Sequence, residues 1–106
     1  MKFIIQWSTR PAGDAEDMIE NSESLIKAFG TWTPPESWTI TEFLTRVDGR
    51  GGMLITETDD LASISQTVGR YVAWLDYDVI PVTNVADGVA DIVAGSAWAR
   101  SAGGID

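Results

Sequence analysis

The stretch Thr41–Thr58, TEFLTRVDGRGGMLITET, reads as two strands folded back on each other at Asp48-Gly49-Arg50-Gly51-Gly52. Asp-Gly between β-branched and apolar runs is a strong short-range hairpin signal, because glycine supplies the positive φ of a tight turn. Gly51 and Gly52 leave room for a bulge or a looser loop. A phosphate loop needs a following helix N-terminus and usually a lysine. Here a strand follows, so the phosphate reading is rejected.

Upstream of the turn, the spacing predicts a strand from Trp38 to Val47, with Trp38, Ile40, Glu42, Leu44 and Arg46 on one face and Thr39, Thr41, Phe43, Thr45 and Val47 on the other. Its threonines and two charges suit a sheet edge. Downstream, Met53 to Thr58 is a further strand. Toward the N-terminus, Lys2 to Ser8 alternates Phe3, Ile5 and Trp7 against Ile4 and Gln6, two largely apolar faces that suit a central strand. Pro11 and Gly13 break it. Asp14 then caps a helix running to about Phe29, with Glu16 and Asp17 in its first turn and Ala15, Met18, Ile19, Leu25, Ile26 and Phe29 forming one apolar face expected to lie on the sheet. Gly30 marks its end.

The loop Thr31–Ser37 is stiffened by Pro34 and Pro35 and carries Trp32, which can cap a pocket or simply cross from helix to strand. After the hairpin, Asp59 or Asp60 caps a second helix whose stripe runs Leu61, Ile64, Ser65, Val68, Val72 and Leu75, with Tyr71 and Trp74 on its shoulder. Gly69 lowers helical propensity and marks a close packing contact. Tyr77 to Val82 is a fourth strand, placed at the other edge by Pro81, which cannot donate to a ladder. Asn84 caps a third helix from about Val85 to Ala99, followed by a frayed tail.

The order is βαββαβ plus a terminal helix: an α+β, ferredoxin-like plan in which two helices cover one face of the sheet. The whole chain, 1–106, is expected to be one domain, with its core in about 2–83 and the extra helix in about 85–99. The opposite sheet face has apolar side chains and no helix to cover it. A second copy is the expected cover, and 106 residues bury little surface alone.

Composition narrows the chemistry. Sixteen acidic against seven basic residues give a net charge of −9, which repels nucleic-acid phosphates and anionic lipid heads. Neither nucleic acid nor a membrane is an expected partner. There is no cysteine, so disulfides, thiolate chemistry and cysteine-zinc sites are excluded. There is also no histidine, which removes the usual general base near neutral pH, the Ser-His-Asp triad, histidine-ligated zinc and proximal-histidine haem. The apolar run at the N-terminus ends at Gln6, too short for a signal peptide, and no transmembrane span is present; the expected location is cytoplasmic. Asp59-Asp60 reads as helix capping and Asp76-x-Asp78 as strand alternation rather than as metal ligands. No metal and no cofactor is expected.

The succession FIIQW, DGRGG, MLITETDD and YVAWLDYDVIPV resembles a family of small proteins with a domain of unknown function, within the dimeric α+β barrel (dimeric ferredoxin-like) superfamily. The resemblance covers about residues 2–83, and YDVIPV before a helix is its most specific piece. It implies a homodimer in which two four-stranded sheets stack face to face. It also implies a cavity between sheet and helices, because relatives bind haem, polyketides, catechol-derived lactones or other apolar molecules, and several are monooxygenases that use neither metal nor flavin. Those relatives rely on a histidine or on a matched Asn, Trp and Tyr set. The missing histidine speaks against haem degradation and histidine-dependent isomerisation.

Five tryptophans supply the aromatic surface such a cavity needs. Trp7, Trp38, Tyr71 and Trp74 are the candidate walls, each with a plainer role in the core or a dimer interface. Gln6, polar in an apolar strand, would meet a ligand hydroxyl or, more simply, a neighbouring strand. Arg46 would anchor a carboxylate if it faced the cavity, and otherwise forms a weak surface pair with Glu42. Ser22 interrupts the first helical stripe as a small packing residue or a pocket-facing one, and Tyr77 can donate its hydroxyl. The function expected from these residues is binding of a small, largely apolar molecule such as a fatty-acid-like or polyketide-like acid; the alternative is a cofactor-independent monooxygenase-like enzyme.

Overall fold

A computed structural model describes residues 1–105. Its elements are β1 (Lys2–Thr9), α1 (Ala15–Phe29), β2 (Thr39–Thr45), β3 (Gly51–Glu57), α2 (Leu61–Tyr71), β4 (Leu75–Val82) and α3 (Val85–Gly103). The four strands form one antiparallel sheet in the order β2-β3-β1-β4. The hairpin, the central β1 and β3 and the edge β2 and β4 follow the ferredoxin-like order expected from the strand patterns.

Gly49 takes up the positive φ of the turn, at +72°. The turn is closed by Gly49 N–H donating to the Arg46 carbonyl at 3.0 Å and Arg46 N–H donating to the Gly51 carbonyl at 2.8 Å. The Asp48 carboxylate accepts from Arg50 N–H at 3.0 Å. That bond, with help from the Arg46 guanidinium, holds the Asp48 carboxyl below its ordinary range.

The helix ends are set by local chemistry. Asp14 and Asp17 form a reciprocal capping box on α1, each carboxylate accepting from the other's backbone N–H, at 2.9 and 3.2 Å. Asp60 caps α2 and Asn84 caps α3. Helix α2 stops at Tyr71, so Leu75, predicted on the helical stripe, instead opens β4 opposite Thr9. The reason is pairing: Arg10 N–H donates to the Trp74 carbonyl at 2.9 Å, bringing the chain into the sheet two residues before the strand start expected at Tyr77. Helix α3 extends past Ala99 to Gly103 and is closed by Gly104 in the left-handed region.

One irregularity reorders the faces of β2. Ile40 pairs with Thr56 and Glu42 with Ile55, so Thr41 is an extra residue that bulges out of the ladder. The expected sharing of a face by Trp38, Ile40, Glu42, Leu44 and Arg46 is therefore corrected. Before the bulge, Trp38 and Ile40 turn toward the helices; after it, Phe43 and Thr45 do, and Leu44 turns to the outer face with Met53. The buried core is Phe3, Ile5, Trp38, Leu54 and Ile64, on the side covered by α2.

Helix α1 departs from expectation in another way. None of its residues is buried. Met18 and Ile19 are exposed, and only its C-terminal part approaches the sheet. The space between that part and the sheet is the candidate site.

Candidate functional site

A cavity of about 430 Å³ lies between the helix-facing side of the sheet, α2 and the end of α1. Ile5 and Trp7 from β1, Leu54 from β3 and Tyr77 from β4 form its floor; Val68 and Tyr71 from α2 form one wall, and Leu25, Ile26 and Phe29 from α1 the other. It opens to solvent beside α1, where Phe29 and Phe43 are partly exposed and Ile26 is 71% exposed.

The cavity is bounded by an aromatic network centred on Phe43. Phe43 meets Trp7 edge-on at 5.7 Å, Phe29 at 5.8 Å and Trp32 at 6.0 Å between ring centroids. Phe29 stacks on Trp32 at 5.8 Å, and Trp32 meets Trp38 at 6.1 Å. Edge-to-face contacts of this kind each contribute about 0.5–1.5 kcal/mol beyond the area they bury. Trp7 can pack across β3 because Gly52 has no side chain: a Cβ there would collide with the indole ring and with the Leu44 carbonyl oxygen.

Trp38 is pinned by its polar edge. Its indole N–H donates to Ser63 Oγ at 2.7 Å, and Ser63 Oγ donates in turn to the Asp60 carbonyl at 2.7 Å. Asp60 also accepts from Ser37 Oγ at 3.0 Å and from Ser63 N–H at 3.2 Å, and these hydrogen bonds lower its pKa. The one donor of Trp38 is thereby committed to the start of α2, leaving its ring as an apolar wall.

Polar groups around the cavity are few: Thr45, Thr67, the hydroxyls of Tyr71 and Tyr77, and indole edges. Burial, reinforced by the neighbouring Tyr71, pushes the Tyr77 phenol up to about 12, and burial also raises Tyr71. Both are therefore neutral donors at physiological pH. No lysine or arginine lines the space.

The residues singled out in the sequence separate into three groups. Trp7, Trp38 and Tyr71 come together on the cavity. Gln6 and Arg46 lie instead on the other face of the sheet, where with Ser8, Met53 and Asp78 they line a second, more polar depression whose edge Trp7 shares. Arg46 is held there by an ion pair with Asp48, not with Glu42. Trp74 touches neither and packs on Tyr71 at 6.3 Å. Ser22 is exposed on α1. Phe29 and Phe43 are cavity residues that the sequence reading did not single out as site residues. Phe43 was placed on the face opposite Trp38, and only the bulge at Thr41 brings the two to one side. No group of three or more His, Cys, Asp or Glu suited to a metal ion occurs among the described residues.

Residues 1–95 match the family model described as Domain of unknown function (DUF3303). The chain belongs to this family. The match takes in every strand, α1, α2 and the first half of α3, so both the cavity and the uncovered sheet face lie within the family's domain. No curated protein matches the chain. No helix among the described residues is long and apolar enough to cross a membrane.

Proposed function

We propose that this member of the DUF3303 family is a homodimeric protein that binds a small, largely apolar molecule between its sheet and helices. The observation that carries the reading is the lining of the cavity, aromatic and aliphatic on all sides with a few neutral hydroxyls. Its volume lies within the range of small-molecule sites, and such sites combine apolar walls with a small number of placed polar groups.

The lining favours an uncharged ligand. A buried carboxylate would find no cation and would bear the cost of desolvation unpaired. An elongated acid fits only with its carboxylate left in water at the open side, because Arg46 lies on the other face of the sheet. A flat aromatic or polycyclic molecule with a carbonyl or hydroxyl facing Tyr77 suits the floor best. The uncovered face, with Ile4, Leu44, Met53, Ile55 and Ile80 among polar neighbours, is where the second copy would seat its own sheet.

Native mass spectrometry of the freshly purified protein, before and after denaturation, tests both halves of this reading. A dimer carrying extra mass that denaturation releases is the expected result. No retained mass, together with no rise in melting temperature across a panel of neutral aromatic and aliphatic compounds, would end the ligand reading. A monomer would end the dimer reading.

The second reading, a cofactor-independent monooxygenase, draws on Tyr77. A phenol kept protonated at the floor of an apolar cavity is a donor suited to an oxyanion that develops on an electron-rich substrate. Oxygen uptake with anthrone- or quinol-like compounds above the buffer rate would favour it, and loss of that rate in Tyr77→Phe would tie it to this hydroxyl.

A further inference from the structure

Helix α3 is built like a buried element and is not buried. Val85, Val89, Ile92 and Val93 recur at three- and four-residue spacing and form one apolar stripe, with Trp98 on another side. Yet Val85 is 81% exposed, Ile92 70% and Trp98 72%. A Cβ added at Gly95 would meet nothing within 4 Å. The whole chain shows the consequence. Its radius of gyration is 18.8 Å and its longest dimension 61 Å, where a compact chain of this length has a radius of about 13 Å.

The surface area says how much partner is missing. A folded monomer of 11.5 kDa exposes about 5800 Å². This chain exposes 7673 Å², an excess of about 1900 Å², when a stable dimer needs to bury about 800 Å² on each partner. One two-fold contact between copies can absorb that excess. A small independent ligand cannot.

The second exposed apolar surface of the right shape is the α1 flank, where Met18, Ile19, Ile26 and Phe29 form a helical stripe that ends on the open side of the cavity. In the single chain α3 covers neither this flank nor the sheet, since none of its residues is buried. That helix begins beyond Val82, which pairs with Lys2 at one end of β1, while Trp7 and Tyr77 of the cavity pair near the other end. In a two-fold dimer the arm of one copy starts from a different place relative to the cavity of the other, and the exposed stripe has a second copy's flank to meet.

We propose that α3 is an exchanged arm: in the dimer, the Val85–Val93 stripe of each copy packs along α1 of the other and closes the open side of its cavity. Helix stripes of this kind pack ridge into groove. The inference rests on the dimeric reading above and adds to it that each binding cavity is complete only when a second copy supplies its outer wall. Ligand retention and dimer formation are then one event.

The absence of cysteine makes the test clean. Full-length Ile26→Cys and full-length Ile92→Cys are co-expressed, treated with a short bismaleimide linker and resolved by mass. The expected product is a covalent heterodimer holding one chain of each variant. Two results overturn the arm: no heterodimer in this sample or in a parallel one with Val89→Cys in place of Ile92→Cys, or a link within a single chain carrying both cysteines. A protein that native mass spectrometry shows to be dimeric but that gives no such heterodimer loses the arm and keeps the dimer; a monomer loses both. As a separate readout, Ile92→Asp in the full chain should weaken binding of the neutral probe N-phenyl-1-naphthylamine at least tenfold while circular dichroism shows the sheet intact. Unchanged probe affinity in that variant overturns the shared cavity wall.

Discussion

Gly52 and Trp7 form a pair in which the smallest side chain makes room for the largest. Adding a methyl group at Gly52 must push the indole off β3, because the opposite side is closed by the Leu44 carbonyl. Gly52→Ala is expected to destabilise the fold by about 1–3 kcal/mol, the usual cost of overpacking, and to shift the tryptophan emission; urea unfolding and fluorescence check both. Ser63 bears a similar burden for Trp38. Ser63→Ala leaves a buried indole N–H without its partner, and a loss of about 1–3 kcal/mol is expected. Ser63→Thr keeps the hydroxyl and should retain most of that stability. The tyrosines add a pH signature. Burial pushes the Tyr77 phenol up to about 12 from an ordinary 10.0, and raises Tyr71 as well. A raised phenol means that the folded state holds its proton longer than the unfolded one, so this stability is complete below pH 10 and declines as pH rises through 10 to 12. Phenolate absorbance from Tyr77 should appear at about pH 12 in the folded protein, and at about pH 10 in denaturant.

At the scale of elements, Gly69 offers the simplest experiment. Its helical spacing suggested a tight contact, yet a Cβ there meets nothing within 4 Å. Gly69→Ala is therefore expected to stabilise α2 by about 0.5–1 kcal/mol, through helix propensity alone, measurable as a rise in the urea midpoint with an unchanged slope. Much of the architecture was legible because it rests on local chemistry: Asp-Gly at the turn, Asp14 and Asn84 as caps, Pro81 on an edge strand, apolar alternation in β1. The cavity was less legible. Trp7, Trp38 and Tyr71 could be named from composition, but Phe43 reaches them only through the bulge at Thr41, and a one-residue insertion in a ladder leaves no mark in strand periodicity. Gln6 and Arg46 illustrate the reverse case. Their polarity drew attention, and the pleat turned them to the other side of the sheet. Leu75 was misplaced because a helical stripe and a strand start look alike over four residues when tertiary pairing decides between them.

At the scale of the whole molecule, apolar surface is distributed over three places that no single copy satisfies: the open sheet face, the α1 flank and α3. A ligand that occupies the cavity is expected to stabilise the folded protein by about 2.7 kcal/mol at a concentration one hundred times its dissociation constant. For a domain of this size that corresponds to a rise of roughly 10 °C or more in melting temperature. Differential scanning fluorimetry with neutral aromatic compounds measures it directly, and a charged analogue of the same skeleton should give a smaller shift because the cavity holds no counter-charge.

The ring of aromatics has an optical consequence. Trp7, Trp32 and Trp38 lie around one small space, and Trp32 and Trp38 are 6.1 Å apart between centroids. Indoles that close couple their excited states, so the near-ultraviolet circular dichroism of the chain is dominated by the chromophores that bound the cavity. Any absorbing molecule that enters becomes an energy acceptor at contact range. The protein thus carries its own reporter of occupancy, and a titration followed by emission needs no label.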